Sequence, residues 1–193
     1  MEKVTALFGG SFNPIHNGHL ALAKALCDQG GLDEFWFMVS PMNPFKQNME
    51  LLDDEKRLEL VQLAIEGDKR LVACNFEFSL PRPSYTYHTL LALREAYPDR
   101  RFILIIGGDN WVKFPHWYKS EEILEMVEVW VYPRPGYEVA PQGLPSRVKL
   151  VDAPLFDFSS TDVRHVIREG KDASEMLPAP VWKKIQEDKL YTH

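Results

Sequence analysis

Cysteine is scarce in this chain: Cys27 and Cys74 are the only two in 193 residues. Both sit in apolar settings, Ala25-Leu26-Cys27 and Val72-Ala73-Cys74. They read as two buried structural thiols rather than a disulfide or a redox pair. Long apolar runs are missing too. The longest, such as Phe102–Ile106, are strand-sized, far from the roughly 20 residues that cross a bilayer. Positive charge is in short supply, with 22 Lys and Arg against 28 Asp and Glu and a net charge of −6. Such a balance suits neither bulk nucleic-acid binding nor an anionic membrane surface. A polyanionic ligand would need cations and backbone dipoles gathered locally. No repeat or low-complexity stretch appears. Met1-Glu2-Lys3 passes directly into a strand-like run, with no leader pattern, so a cytoplasmic protein is expected.

What is present is ordinary globular material: 45% hydrophobic, 12% aromatic and 26% charged residues. One domain over residues 1–193 is expected. Short apolar runs at Val4–Phe8, Glu34–Val39, Arg70–Cys74, Arg101–Ile106, Val129–Tyr132 and Arg147–Val151 predict strands. Helix-period segments fall between them: Gly18–Asp28, a segment capped by Asp53 with a stripe of Leu58, Val61, Leu63 and Ile65, Ser84 or Tyr85 to Tyr97, and Ser120–Met126. Ser160–Glu169 and Pro180–Lys189 close the chain as two helices. Strand–helix alternation without strict apolar–polar periodicity predicts an α/β fold. It is a Rossmann-like doubly wound parallel sheet with helices on both faces and a small helical C-terminal segment. Ligands of such folds sit beyond the carboxyl ends of the strands, near the switch point of strand order. Two segments at predicted strand ends carry the chemistry.

The first is Gly9-Gly10-Ser11-Phe12-Asn13-Pro14-Ile15-His16-Asn17-Gly18-His19. The glycines let backbone N–H groups approach a ligand closely. The following helix start adds partial positive charge. His16 and His19, three residues apart, bring two imidazoles to one face. This is neither a Walker A loop nor a GxGxxG turn. The second is Phe158-Ser159-Ser160-Thr161-Asp162-Val163-Arg164. Alone it reads equally as a helix cap with a surface arginine or as an anion cradle. Beside the first, the cradle reading is favoured. Asp53-Asp54-Glu55 reads as helix-start charge, and His88 and His116 receive no role.

These two segments resemble the nucleotidyltransferase superfamily. Pro83-Ser84-Tyr85-Thr86, Gly107-Gly108-Asp109-Asn110, Trp117-Tyr118 and Arg134-Pro135-Gly136 extend the similarity, nearly end to end, to the bacterial nicotinate-nucleotide adenylyltransferases. Phe158 departs from the motif, which often has isoleucine there, and His88 stands where many relatives carry an acid. The resemblance implies transfer of AMP from ATP to nicotinate mononucleotide, giving deamido-NAD and pyrophosphate, with Mg²⁺ carried on the ATP phosphates and no metal site on the chain. It implies that His16 and His19 face the α-phosphate, with Lys46 a basic tether and Arg164 completing the catalytic set. Gly9, Gly10, Ser11 and Phe12 then contact phosphate and nucleotide. Gly107 and Asp109 flank the ATP ribose, Arg134 the adenine side, and Ser160, Thr161 and Arg164 hold the β- and γ-phosphates. A C-terminal segment of about residues 159–193 would complete that ATP site. Ser11, Lys46, Thr86, Trp117 and Tyr118 take the nicotinate mononucleotide, with Trp117 against the pyridine ring.

For several of these the residues leave a second reading: Lys46 as a solvated loop lysine, Asp109 as the cap of a turn over 110–114, and Trp117 with Tyr118 as core. No acid lies within Ser84–His88 or His116–Lys119. A ring pocket of hydrogen-bond donors, suited to a carboxylate, is therefore expected. A different acceptor (nicotinamide mononucleotide or phosphopantetheine), a cytidylyl transfer, or a non-catalytic nucleotide-binding module are the competing readings. A class I aminoacyl-tRNA synthetase fits poorly, because the chain is short and acidic. Oligomeric state stays open.

Overall fold

The computed structural model describes residues 1–41, 45 and 51–193. Six strands form one parallel sheet: β1 (Lys3–Gly10), β2 (Glu34–Val39), β3 (Leu71–Cys74), β4 (Arg100–Gly107), β5 (Glu128–Tyr132) and β6 (Val148–Leu150). Their order is β3-β2-β1-β4-β5-β6, which reverses direction between β1 and β4. The helices are α1 (Asn17–Gln29), α2 (Asp54–Ile65), α3 (Thr86–Ala96), α4 (Gly108–Lys113), α5 (Ser120–Met126), α6 (Ser160–Arg168) and α7 (Ala179–Glu187). The expected doubly wound architecture and the order of its main elements are therefore present.

Alternate residues of each strand face opposite sides, and both sides are apolar. Ala6, Phe8, Phe35, Phe37, Ile103 and Ile105 pack under α1, α2, α6 and α7. Leu7, Trp36, Met38, Leu104 and Ile106 pack under α3 and α5, through Leu90, Leu93 and Ile123. Cys27 and Cys74 are buried, unpaired thiols, as their settings predict. Among the described residues no helix is long and apolar enough to cross a membrane.

Two local readings need correction. In α2, Leu58 and Val61 are buried as expected, but the buried set continues with Leu60 and Arg57, while Leu63 and Ile65 are only partly covered. An arginine on a buried stripe has to be hydrogen-bonded, and this one is, from all three of its nitrogens. Its guanidinium donates to the carbonyls of Ser11, Ser40 and Leu52 and pairs with Asp54. The second correction concerns 108–113, which form a helix capped by Gly107, so Asp109 lies inside the first turn and is not its cap.

Candidate active site

The reversal of strand order opens a cleft where β1 and β4 diverge, and the first chemical segment fills it. After Gly10 the backbone turns through a left-handed Phe12 (φ 46°), whose ring is held against Phe8, Phe37 and His19. The loop is fixed from several sides. Gly10 accepts from Ser40 N, Ser11 from Arg57, Asn13 from Arg164 Nη1 at 2.8 Å and Pro14 from Ser160 Oγ at 2.8 Å. The late segment is thus joined to the early one by two hydrogen bonds across about 150 residues of sequence. Thr161 Oγ1 accepts from Arg164 Nη2, and Ser159, not Ser160, caps α6 in a reciprocal pair with Asp162.

His16 caps α1 from outside the helix. Its Nδ1 accepts from Gly18 N at 3.0 Å, and its own N–H donates to His19 Nδ1 at 3.1 Å. Histidine stands at both places of a capping box. Because each Nδ1 accepts, each ring carries its hydrogen on Nε2. The rings stack with centroids 3.7 Å apart, and Phe158 meets His16 edge-on at 5.1 Å. Phe158 therefore closes the apolar side of the pair. Burial, assisted by the Arg134 charge, lowers the His16 pKa to about 3, so this imidazole is neutral at physiological pH.

Two openings meet at this loop. A cleft on the α1 side is lined by His16, Gly18, His19, Tyr132, Arg134 and Phe156. At its edge Gly107 is crowded by Asp109, Arg134 and Tyr132. Arg134 Nε lies 3.7 Å from Asp109 Oδ1, which is buried without a hydrogen bond. On the other side a cavity of about 200 Å³ runs from Gly9 and Gly10 to Ser84, Tyr85, Thr86, Trp117 and Tyr118. Trp117 packs against Phe114 at the edge of the core and also lines the cavity. Tyr118 is half exposed at the mouth, beside His88 at 5.2 Å. His116, also without an assigned role, lines the cavity. Lys46 lies outside the described residues.

The cavity departs from the expectation of donors alone. Glu77, from the turn Phe76–Ser79 after β3, lines it and is buried. Its Oε1 accepts from Thr89 Oγ1 at 2.7 Å, while Oε2 makes no hydrogen bond. Ser40 and Ser84 face the same carboxyl, and Ser84 Oγ is likewise unbonded. Burial pushes the Glu77 pKa up. Glu77 lies outside the Ser84–His88 and His116–Lys119 stretches and reaches the pocket through the fold. Its signal is a lone charge between two aromatics, Phe76 and Phe78, where a surface turn would expose it. Arg57 has the matching signal, a charge within an apolar helix stripe.

The cytidylyltransferase-like family model matches residues 7–166. A Bacteroides fragilis protein named "probable nicotinate-nucleotide adenylyltransferase" is 54% identical over 94% of this chain and 90% of its own length. A Bacteroides thetaiotaomicron protein of the same name is 52% identical over 95% and 91%. The fold is shared with the Plasmodium falciparum nicotinic acid mononucleotide adenylyltransferase complexed with NaAD. There the TM-score is 0.85 at 18% identity, over 98% of this chain and 97% of that one. A match over most of the chain, with relatives above half identity, makes this protein a member of the cytidylyltransferase-like family, on its nicotinate-nucleotide adenylyltransferase branch.

Proposed function

We propose that this chain transfers the adenylyl group of ATP to nicotinate mononucleotide, releasing pyrophosphate and giving deamido-NAD. The observation that carries the reading is the His16–His19 pair, each ring with its hydrogen on Nε2, in one opening of a loop whose Gly9 and Gly10 line the other. One opening suits the nucleotide end of ATP, the other an acceptor base. An oxygen of the acceptor's 5′-phosphate forms a bond to the α-phosphorus, and the bond from that phosphorus to the bridging oxygen of the β-phosphate breaks. The attacking group is already an anion, so no base is required. The chain's task is alignment and charge stabilisation. His16 and His19 donate to the α-phosphate oxygens, Gly9, Gly10, Ser11 and Phe12 shape the floor beneath them, and Lys46 tethers phosphate. Ser160, Thr161 and Arg164 take the β,γ end, with Gly107, Asp109 and Arg134 along the nucleoside. Residues from about 159 onward thus complete the ATP side of a single domain. Thr86, Trp117 and Tyr118 enclose the acceptor ring.

The donor set suits a divalent ion that arrives on ATP: Asp109, with Oδ1 unbonded, offers one carboxylate at that end of the cleft. Asp109 would hold Mg²⁺ that arrives on ATP, and the ion would supply neutralisation of phosphate charge. The substrates, both small nucleotides, put the work in the cytoplasm. The test is pyrophosphate release from ATP and Mg²⁺ with nicotinate mononucleotide, nicotinamide mononucleotide or phosphopantetheine, and with CTP replacing ATP. Release with the first acceptor and ATP is expected. Release only with another pair moves the substrate assignment, and none with any pair leaves a nucleotide-binding module.

A further inference from the structure

We propose that Glu77 is a specificity-determining residue of the acceptor pocket, which must carry its proton for the ring carboxylate of the acceptor to bind. The inference rests on the acceptor being a pyridine mononucleotide, as argued above. A mononucleotide has its phosphate at one end and its base at the other. The phosphate has to reach the glycine loop and the His16–His19 pair, so the base is left toward Ser84, Thr86 and Trp117, the end that Glu77 lines.

Two acids then share one cavity of about 200 Å³. Among the described residues no Lys or Arg lines it. The groups facing Glu77 are hydroxyls or weakly acidic: Ser40 from the end of β2, Cys74 from β3, Ser84 from the loop before α3, and Thr89 from α3. Burial pushes Cys74 up to about 11, so it brings no charge at neutral pH. His116, Tyr85 and Tyr118 are the other titratable groups among the described residues of the cavity wall. A carboxylate held there without a cation is costly, and a second anion raises the cost further. The neutral acid removes the repulsion. With Oε1 engaged by Thr89, the proton belongs on Oε2, the oxygen that has no partner within the protein. That atom then offers a donor to the incoming carboxylate. Ionised Glu77 would do the reverse, repelling a carboxylate and accepting from a carboxamide NH₂. Acid-over-amide selection is thus set by a proton on this side chain rather than by the absence of acids from the pocket.

The experiment compares kcat/KM for nicotinate and nicotinamide mononucleotide, as a ratio, across about pH 6 to 9. Both acceptors carry the same phosphate, so its titration and that of the His pair cancel in the ratio. In the wild type the acid-to-amide ratio should fall as pH rises, by at most about tenfold per pH unit. E77Q is isosteric, permanently neutral and keeps a donor, so its ratio should be flat with pH and exceed that of the wild type at the alkaline end. Calorimetry in buffers of different ionisation enthalpy adds a readout independent of turnover. At the alkaline end of that range nicotinate mononucleotide should take up a proton on binding to the wild type and not to E77Q, beyond any uptake seen with the amide. A wild-type ratio that is flat with pH, or profiles that coincide in wild type and E77Q, overturns the proposal while leaving adenylyl transfer standing. Absence of pyrophosphate with either mononucleotide overturns the parent reading and this one with it.

Discussion

The imidazole rings of His16 and His19 stack 3.7 Å apart, and the backbone N–H of His16 donates to Nδ1 of His19. The same two residues therefore cap the start of α1 and present both imidazoles there. The orientation of each ring is set by a backbone hydrogen bond that exists only if Nδ1 is bare. A cap of this kind fixes tautomer and direction together, which a pair of surface histidines at the same spacing would lack.

His19→Ala should lower kcat by about 10²–10³, with a smaller change in the ATP KM, because its donor acts on charge that develops in transfer. The same change removes the acceptor for His16 N. A loss of helix-cap stability, about 0.5–2 kcal/mol, should accompany it in urea unfolding. Near-wild-type turnover with a raised KM would assign the ring to ground-state binding instead.

Acid should destabilise the protein through His16. Its folded pKa of about 3 lies below the ordinary 6.5, so below 6.5 the unfolded chain binds a proton that the folded chain refuses. Stability is complete above that value and falls as pH drops from 6.5 toward about 3, by up to about 1.4 kcal/mol per pH unit. His16→Asn keeps a capping oxygen and removes the titration. The drop in urea midpoint between about pH 7 and 5 should be smaller in that variant than in the wild type. Equal drops would show that His16 charges as readily in the fold as outside it.

Arg57→Met should cost about 3–5 kcal/mol, since the buried carbonyls of Ser11 and Ser40 and the part-buried one of Leu52 lose their donor at once, and Asp54 is left with Arg82 alone. Arg57→Lys should not restore the wild type, because one ammonium cannot reproduce the fork that reaches Ser11, Ser40 and Leu52 together. Urea midpoints with an unchanged m-value are the readout. A loss under about 1 kcal/mol would mean that water replaces the guanidinium.

The sheet was legible in the sequence because both its faces are buried: runs such as Phe35–Val39 and Ile103–Ile106 need no alternation to be read as strands. The two histidines and the late Ser160–Arg164 segment were legible because each forms within a few residues. Their hydrogen-bonded union through Asn13 and Pro14 was not, since it spans most of the chain. Arg57 and Glu77 escaped for the same reason. A charge is read as solvated until the fold supplies carbonyls around a guanidinium or a pocket around a carboxyl. Asp109 has the composition of a cap, yet its oxygen lies toward Arg134 and the cap position goes to Gly107.

Gly107→Ala should weaken ATP more than the acceptor. The backbone at this residue, φ −79° and ψ 161°, is open to any amino acid, so conformational freedom is not what glycine contributes there. Space is. A methyl group would stand 2.6 Å from Asp109 Oδ1, 2.9 Å from Arg134 Cγ and 3.0 Å from the Tyr132 ring. Tyr132 belongs to β5 and packs edge-on against Phe8, so it has little room to retreat. Asp109 and Arg134, at the cleft edge, give way first. Their displacement would loosen the nucleoside side of the site while Thr86 and Trp117, on the acceptor side, stay in place. The ATP KM should rise about tenfold, the equivalent of one weakened charge-assisted contact, with a smaller rise for the mononucleotide. Overpacking should also lower folding stability by about 1–3 kcal/mol. Equal rises for both substrates would mean that the strain spreads through β4 into the acceptor cavity. Wild-type constants at full stability would mean that Asp109 and Arg134 move aside at no cost and do not position ATP.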